Sequence, residues 1–306
     1  MNRRRASVIV NAHAGTPSMS DTVSRLEAAF AASGITAEVR VARTGADVAK
    51  HAAQAVAGKP ALIVAGGGDG TLSTVAAKIV GTDTALGILP LGTLNHFAKD
   101  LGIPLELDAA VAVIAAGNTI AVDVGTVNDR IFLNNSSLGL YPRLVRVREH
   151  QQQSLGRGKW PAFAWAVFFV LRRFSFVSVE LDVDGKREVR RTPVVFIGNN
   201  HYAMQGLQIG TRERLDGGEL SLYIPRALTR WGLLRMGLRA LLGGLSPGID
   251  LETTMAKTIC IHSRRAAVHV AIDGEVQTLP MPLRYATRPA ALRVIVPRGS
   301  IPTEAS

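Results

Sequence analysis

Two almost entirely apolar segments, each running into glycines, constrain the fold of this chain more than any other feature. They are "ALIVAGG" at residues 61–67 and "TALGILPLG" at residues 84–92. Strands of this kind are buried on both faces, as in a parallel sheet covered by helices on both sides. Predicted strands and helices alternate through the first 125 or so residues, beginning with a strand at "SVIVNA". The pattern predicts a doubly wound α/β domain.

Helix ends in this region are marked by residue type. The predicted helix "DTVSRLEAAFAAS" ends at Gly34, and the next follows Thr44 as a cap and ends before Gly58. A further helix, "LDAAVAVIAAG", has Asp108 as its expected cap. Polar caps at the start of a helix and glycine at its end favour these boundaries.

The second half of the chain has a different periodicity. After about Val124 apolar and polar residues alternate, and hairpin turns are predicted at Asp184-Gly185 and Asp273-Gly274. Two basic, apolar helical segments interrupt this pattern, "KWPAFAWAVFFVLRRF" and "TRWGLLRMGLRALLGG". We therefore expect an α/β domain at residues 1–125 and a mainly antiparallel β domain at residues 126–306.

The chain is strongly basic, with a formal net charge of +11 over 306 residues. Such a surface attracts nucleotides, nucleic acid or acidic lipid headgroups, and charge alone does not choose among them. The single Cys260 excludes an intramolecular disulfide and a cysteine-based zinc cluster. Its apolar surroundings, "TICIH", predict a buried, unreactive thiol in a reducing compartment.

No segment of the sequence is expected to cross a membrane. The longest apolar run, residues 161–171, falls short of the roughly 20 residues that span a bilayer. The start "MNRRRASVIV" is basic, but its apolar part is too short for a signal peptide and is followed by Asn11. We expect a cytoplasmic protein.

The stretch "GGGDGT" from Gly66 to Thr71 follows the first apolar strand. A strand that ends in glycines and enters a helix directs several backbone N–H groups at one point, which suits a phosphate. The stretch lacks the lysine of a Walker loop and the spacing of a dinucleotide fingerprint. Asp69 either holds a metal-bound water or positions a nucleotide, or it caps the following helix in a tight turn. This segment alone leaves both interpretations open.

Three more segments give the sequence a family resemblance: "NAHAG" at 11–15, "PLGTLNHFAKDLGIP" at 90–104 and "IDGE" at 272–275. Together with "GGDGT" they resemble the diacylglycerol kinase catalytic family, in which bacterial lipid kinases and sphingosine kinases are near relatives. The resemblance runs nearly end to end. It implies a Rossmann-like, NAD kinase-like nucleotide-binding domain followed by a β-sandwich. It also implies transfer of the γ-phosphoryl group of ATP to a lipid hydroxyl with Mg²⁺.

The resemblance assigns roles to individual positions. On the nucleotide side these are Asn11, Gly15, Thr44, Gly66, Gly67, Gly68, Asp69, Gly70, Thr71, Thr93 and Asn95. On the acceptor side Asp273 resembles the general base, with Glu275 beside it, and Asp69 completes the catalytic set. Asp123 in "VDVG" resembles an acid of the same polar network. Taken alone, Asp273-Gly274 is also a simple hairpin turn, Thr44 a helix cap and Asp123 a strand end.

One departure from the family pattern concerns a structural Mg²⁺ site. The usual "LDDG" segment reads "RLDGGEL" here, with Gly217 in place of the second acid. Asp216, Glu219 and Asp123 remain the candidate metal ligands. The catalytic Mg²⁺ is expected to be held largely by the substrate phosphates.

Other functions and the expected partners follow from the same segments. A soluble NAD-kinase-like or sugar-phosphate kinase is disfavoured by "PLGTLNHFAKDLGIP", and Gly217 is the only support for a catalytically silent lipid-binding or regulatory protein. Nucleic-acid binding would explain the charge but not the motifs. The lipid is not identified, and a homodimer stays open.

A membrane-surface helix is the favoured interpretation of "TRWGLLRMGLRALLGG". Helical spacing places Trp231 and several leucines near Arg230, Arg235 and Arg239, as in a helix on an anionic bilayer. The alternative is a helix packed into the core. We therefore expect a lipid substrate and peripheral association with an anionic membrane.

Overall fold

The computed structural model describes residues 4–13, 19–139, 176–205, 208–212, 214–226, 229, 231–232, 235 and 250–299. The chain forms two compact units. The first contains Met1–Val124, Arg214–Gly217 and Arg288–Ser306, and the second contains Gly125–Glu213 and Gly218–Thr287. A single boundary at residue 125 was predicted from the sequence. In the structure, the first unit also includes the C-terminal residues from Arg288 and the short internal segment Arg214–Gly217.

The first unit has α/β architecture. Its helices are α1 (Met19–Ala32), α2 (Gly45–Ala57), α3 (Asp69–Ile79), α4 (His96–Asp100) and α5 (Leu107–Ala116). Its strands are β1 (Arg4–Asn11), β2 (Ile35–Ala42), β3 (Leu62–Gly67) and β4 (Ala85–Pro90). Strands β5 (Thr119–Val127) and β18 (Leu283–Ile295) contribute residues to both units.

The strand order in this unit is β2-β1-β3-β4, and all neighbours are parallel. The end of β18 adds a further parallel pairing, Arg293 with Ala85 and Val294 with Leu86. Strands β3 and β4 are buried at every position, as predicted for strands covered on both faces. Because β2 and β3 lie on opposite sides of β1, the strand order reverses between β1 and β3. The predicted doubly wound sheet is confirmed.

Helix α2 has the predicted ends. Thr44 is its N-cap, and the Thr44 hydroxyl accepts the Asp47 N–H at 3.1 Å while the Asp47 carboxylate accepts the Thr44 N–H at 3.0 Å. This reciprocal pair is a capping box, and Gly58 ends the helix. The expected cap of α5 was wrong, because Glu106 is the N-cap. The Asp108 carboxylate instead forms a 2.7 Å ion pair with Arg25, a partner that local sequence does not reveal.

The second unit is built from short strands. They are β6 (Arg130–Phe132), β7 (Asn135–Gly139), β8 (Val177–Val183), β9 (Lys186–Thr192), β10 (Val194–Asn199), β11 (Tyr202–Gln205), β12 (Gln208–Arg212), β13 (Leu220–Pro225), β14 (Leu251–Ala256), β15 (Thr258–His262), β16 (Ala267–Ile272) and β17 (Glu275–Pro280). One antiparallel sheet has the order β14-β13-β10-β7-β16-β17. In the other, the start of β18 pairs with β15, β15 with β8 and β8 with β9.

Both sheets contribute side chains to one core. Leu138, Val195 and Val270 come from the first sheet, and Leu181 and Ile259 from the second. Apolar side chains that alternate inward from two antiparallel sheets define a β-sandwich. The predicted antiparallel second domain is thus confirmed.

The two predicted hairpin turns are also present. Asp184 and Gly185 have φ values of 47° and 86°, and Asp273 and Gly274 have 45° and 86°. Positive φ at both central residues is what a two-residue type I′ turn requires. The Asp-Gly dipeptides therefore predicted these turns correctly.

Two predictions fall largely outside the described residues. The apolar run 161–171 lies outside them, and of the basic segment 229–244 they include Thr229, Trp231, Gly232 and Arg235. The Trp231 side chain is 72% exposed. Within the described ranges, no helix combines the length and the apolar character needed to cross a bilayer.

Candidate active site

The glycine stretch lies where the strand order of the first unit reverses. Val10 of β1 pairs with Gly66 of β3, so the carboxyl ends of these strands are neighbours. The Asn11 side-chain amide, at the end of β1, donates to the Thr71 hydroxyl at 3.1 Å. Open α/β sheets bind ligands at such a reversal. Asn11 and the glycine loop are thus brought together as predicted.

Gly67 of this loop leaves no room for a side chain. A Cβ on Gly67 would lie 2.6 Å from the Thr71 hydroxyl oxygen. Gly68 is the N-cap of α3 and has no side chain to accept the first amides of this helix. Phosphate oxygens are suitable acceptors at a helix N-terminus of this kind. The loop and α3 therefore fit a phosphate group.

A second glycine loop, which follows β4, contacts the first. A Cβ on Gly92 would lie 2.4 Å from the Cα of Gly68 and 2.8 Å from the Oδ1 atom of Asn95. The two backbones approach this closely because Gly92 has no side chain, whereas a Cβ on Gly68 would lie at an ordinary 3.5 Å from the Gly92 Cα. The sequence-based site omitted Gly92. Its signal was present, because Gly92 follows an apolar strand just as Gly68 does.

Asn95 shapes the second loop. Its side-chain amide donates to the carbonyl oxygens of Pro90 and Gly92 at 3.2 and 2.7 Å, and its Oδ1 atom accepts the Gly92 N–H at 3.0 Å. Asn95 is buried and has a φ of 50°. Thr93, the other predicted contact in this loop, is exposed. In this structure Asn95 thus holds the loop that presents Thr93.

Asp69 joins the two loops. Its carboxylate accepts the N–H groups of His96 and Phe97 at 3.2 and 3.0 Å, and these residues begin α4. Asn95, the N-cap of α4, makes no capping bond with its own side chain. The alternative interpretation of Asp69 as the cap of α3 is wrong, because Gly68 has that position. Asp69 instead satisfies amides of a helix that begins 27 residues later.

Asp273, the predicted base, lies in the turn between β16 and β17. One carboxylate oxygen accepts the Leu133 N–H at 2.8 Å, and the other accepts the N–H groups of Asn134 and Asn135 at 2.8 and 3.0 Å. Asp273 is buried, whereas Glu275 beside it is exposed. The Asp273 carboxylate therefore anchors the chain between β6 and β7.

Arg212 supports the same segment and was missed by sequence reasoning. Its guanidinium is buried and donates to the Leu133 carbonyl at 2.6 Å and to the Asn134 Oδ1 atom at 2.8 Å. It also lies 5.3 Å from the centre of the Tyr202 ring. Buried guanidinium groups require such partners. No local pattern marks this residue, because "GTRER" is one of many arginine-containing stretches.

The three predicted metal ligands have separate contacts. Asp123 is buried and accepts the Ala290 N–H at 2.8 Å, and Asp216 is paired with Arg214 at 3.1 Å. The Glu219 carbonyl oxygen accepts the Asn200 N–H at 3.0 Å. In the described part of the chain, no three His, Cys, Asp or Glu side chains are arranged to hold a metal ion. The role of Asp123, Asp216 and Glu219 as metal ligands stays a prediction.

Gly15 and Thr44 are two further predicted nucleotide contacts. Gly15 lies outside the described residues. The Thr44 hydroxyl accepts the Asp47 N–H and donates to the Asp47 carboxylate at 2.9 Å. The interpretation of Thr44 as a helix cap is confirmed, and its contact with a nucleotide stays a prediction.

Comparison with known proteins identifies the family. The diacylglycerol kinase catalytic domain profile matches residues 5–127, and the YegS C-terminal NAD kinase beta sandwich-like domain profile matches residues 145–296. A probable lipid kinase YegS-like from Pseudomonas putida is 31% identical over 306 residues, which cover 98% of each chain. The chain belongs to the diacylglycerol kinase family.

Two further proteins resemble the chain in sequence or in fold. A probable lipid kinase YegS from Shigella dysenteriae is 32% identical over 209 residues, or 66% of this chain and 64% of that one. The crystal structure of a diacylglycerol kinase from Bacillus anthracis has a TM-score of 0.71 over 98% of both chains at 19% identity, which shows a shared fold. As a member of the diacylglycerol kinase family, the protein is a lipid kinase by homology.

Proposed function

We propose that this protein transfers the γ-phosphoryl group of ATP to the hydroxyl group of a diacylglycerol-like lipid, with Mg²⁺ as the metal. The observation that carries the proposal is the backbone contact between Gly68 and Gly92, with the Asp69 carboxylate bridging the two loops. This contact excludes a side chain at Gly92, beside the N-terminus of α3. The resulting surface of backbone amides suits the phosphates of a nucleotide.

The residues present fit ATP better than they fit an independent metal site. The backbone from Gly66 to Thr71 would hold the triphosphate, with Asn11 keeping the Thr71 hydroxyl in place. Mg²⁺ is commonly bound by one or two carboxylates together with substrate phosphates. When bound, ATP supplies the phosphoryl group and Mg²⁺ neutralises charge on the phosphates. The absence of a three-acid cluster from the described residues is compatible with a metal held in that way.

On the acceptor side, Asp273 and Glu275 are the proposed carboxylates. Phosphoryl transfer to a hydroxyl needs a group that accepts the hydroxyl proton. In this proposal Asp273 takes the proton and also anchors residues 133–135 through their amides. The lipid reaches the enzyme at an anionic membrane, where the protein is peripherally associated.

The test is incubation with labelled ATP and Mg²⁺ against a panel of acceptors. The panel contains diacylglycerol, phosphatidylglycerol, a sphingoid base and a polyprenol in mixed micelles, with NAD as a water-soluble acceptor. ATP binding is measured separately by isothermal titration calorimetry. We expect ATP to bind and label to enter a lipid.

The other outcomes contradict the proposal in distinct ways. Label in NAD would identify an NAD-kinase-like enzyme. Failure to bind ATP, with no label in any acceptor, would contradict kinase activity and favour a catalytically silent protein. ATP binding with hydrolysis but no lipid acceptor in the panel would contradict the assigned substrate class.

A further inference from the structure

A cleft of about 820 Å³ is lined by described residues of the second unit. Its floor is apolar and includes Leu138, Val177, Val179 and Val268. Three of these residues belong to the buried core between the two sheets, and Val177 packs against it. The floor is therefore one end of the sandwich core.

The rim of this cleft is basic. Arg264 and Arg265, in the connection between β15 and β16, are exposed and line the cleft with His262 and His269. Among the described residues that line it, Glu180 is the only acid. The cleft thus combines an apolar floor with a cationic mouth.

Arg264 and Arg265 differ in their ion pairs from the arginines of strand β9. Arg187 is paired with Asp182 at 3.0 Å, and Arg190 is paired with Glu188 at 2.8 Å. Within the described part of the chain, Arg264 and Arg265 form no ion pair with a carboxylate. Their charges do not stabilise the folded unit through such pairs and remain available to an external anion.

Two further features extend the surface. The Arg191 guanidinium lies 5.2 Å from the centre of the Phe176 ring, and Phe176 lines the cleft. Val189, which also lines it, is 78% exposed. Exposed apolar side chains beside unpaired arginines are typical of surfaces that meet a lipid headgroup region.

We propose that this cleft binds an anionic phospholipid, with an acyl chain against the apolar floor and the phosphate at Arg264 and Arg265. Charge complementarity selects the anion, and the floor selects an amphiphile over a free phosphate. A nucleic acid would use the arginines but would leave the floor of Leu138, Val179 and Val268 uncovered. The inference does not depend on kinase activity, and Trp231 is not among the described residues that line the cleft.

The test measures binding to vesicles without ATP. Vesicles of phosphatidylcholine, with and without phosphatidylglycerol, are sedimented with wild type, with the double variant Arg264→Gln/Arg265→Gln and with Lys186→Gln/Arg187→Gln. The control variant removes the same two charges at the turn end of the β8–β9 hairpin. At low salt, loss of two headgroup contacts should weaken binding to acidic vesicles roughly tenfold or more. The control should remain within about twofold of wild type, and circular dichroism checks that both variants fold.

A second measurement separates the possible anions. Short-chain phosphatidylglycerol below its micelle concentration is titrated calorimetrically, with inorganic phosphate and a single-stranded oligonucleotide as alternative ligands. We expect binding of the lipid alone, with loss of that binding in the Arg264/Arg265 variant. Equal loss of vesicle binding in both double variants would indicate only general charge attraction and overturn the proposal. Arginine-dependent binding of phosphate or of the oligonucleotide, without lipid binding, would also overturn it.

Discussion

At the scale of single residues, two acids chosen for chemistry also hold the backbone in place. The Asp69 carboxylate accepts two backbone amides, and the Asp273 carboxylate accepts three. Hydrogen bonds to charged acceptors contribute more than those between neutral groups. Substitution of either acid therefore changes structure and chemistry together, and each experiment has to measure both.

Asp69→Asn should lose most phosphoryl transfer and also destabilise the first unit. Asparagine offers one carbonyl oxygen where two amides now bind, and its NH₂ group would face one of them. Loss of one of the two hydrogen bonds from the His96 and Phe97 amides, at a half-buried position, should lower the free energy of unfolding by about 1–2 kcal/mol. Urea unfolding and ATP titration calorimetry measure the two effects.

The matched control is Asp83→Asn, which removes the same charge from the same unit. The Asp83 side chain is fully exposed, and its contact with Arg293 is 3.9 Å long. The free energy of unfolding of the Asp83→Asn variant should differ from that of wild type by less than about 0.5 kcal/mol. If Asp69→Asn proved as stable as this control, the bridging role of Asp69 between the loops would be wrong.

Asp273→Asn should lower turnover roughly a hundredfold if the carboxylate is the proton acceptor. It should also lower stability by about 1–3 kcal/mol, because three backbone amides, those of Leu133 and Asn134 buried and that of Asn135 part-buried, would lose a charged acceptor. Asparagine keeps the preference for positive φ, so the turn itself should survive. Steady-state kinetics and urea unfolding test both expectations.

Asp184→Asn is the control for turn chemistry. Asp184 has the same position in the other Asp-Gly hairpin and accepts the amides of Lys257 and Thr258, but it is exposed. Its substitution should leave turnover unchanged. Asp273→Asn with full turnover and reduced stability would assign Asp273 a purely structural role.

Cys260 should react slowly with thiol reagents. It is half-buried, its sulfur lies 3.3 Å from the His262 Nε2 atom, and burial raises its pKa above the ordinary value of a cysteine. The reactive thiolate is therefore scarcer at pH 8 than in an unfolded chain, and its fraction rises as the pH increases through the raised pKa. With a single cysteine, modification by Ellman's reagent gives a direct readout. Equal rates for folded and urea-unfolded protein at pH 8 would contradict this expectation.

At the scale of elements, the two glycine loops act as one structure. Gly92→Ala places a methyl group 2.4 Å from the Gly68 backbone, and backbone atoms cannot rotate away as a side chain can. Overpacking of this kind should destabilise the protein by about 1–3 kcal/mol and weaken ATP binding. Gly45→Ala is the control, because its Cβ would meet nothing within 4 Å. Wild-type ATP affinity in Gly92→Ala would show that the loops need not touch.

At the scale of the whole molecule, residues 288–296, which include the end of β18, are a structural part of the first unit. Leu292, Val294, Ile295 and Val296 are buried, and Val294 pairs with Leu86 of β4. Burial of each such side chain contributes about 2 kcal/mol, so the four together are comparable with the net stability of a domain. Truncation after Thr287 should therefore abolish ATP binding and cooperative unfolding. Truncation after Gly299 is the control and should behave as wild type.

Local sequence determined the elements and the family. The apolar runs before Gly68 and Gly92 predicted β3 and β4, and Thr44 with Gly58 predicted both ends of α2. The Asp-Gly pairs predicted both hairpin turns. These features depend on residues adjacent in the chain, so periodicity and turn chemistry are sufficient. The motifs in order then indicated the diacylglycerol kinase family, and comparison confirmed it.

Only the tertiary structure decided which distant groups meet. The sequence marked Asp69 and Asp273 but did not show that Asp69 binds the start of α4 or that Asp273 binds residues 133–135. It also gave no sign that Arg212 is buried or that residues after Arg288 join the first unit. Each of these contacts joins residues far apart in the chain, and a hydrogen bond or close approach at such separation depends on how strands are ordered. Periodicity does not encode that order, because one alternation of strands and helices is compatible with several sheet topologies.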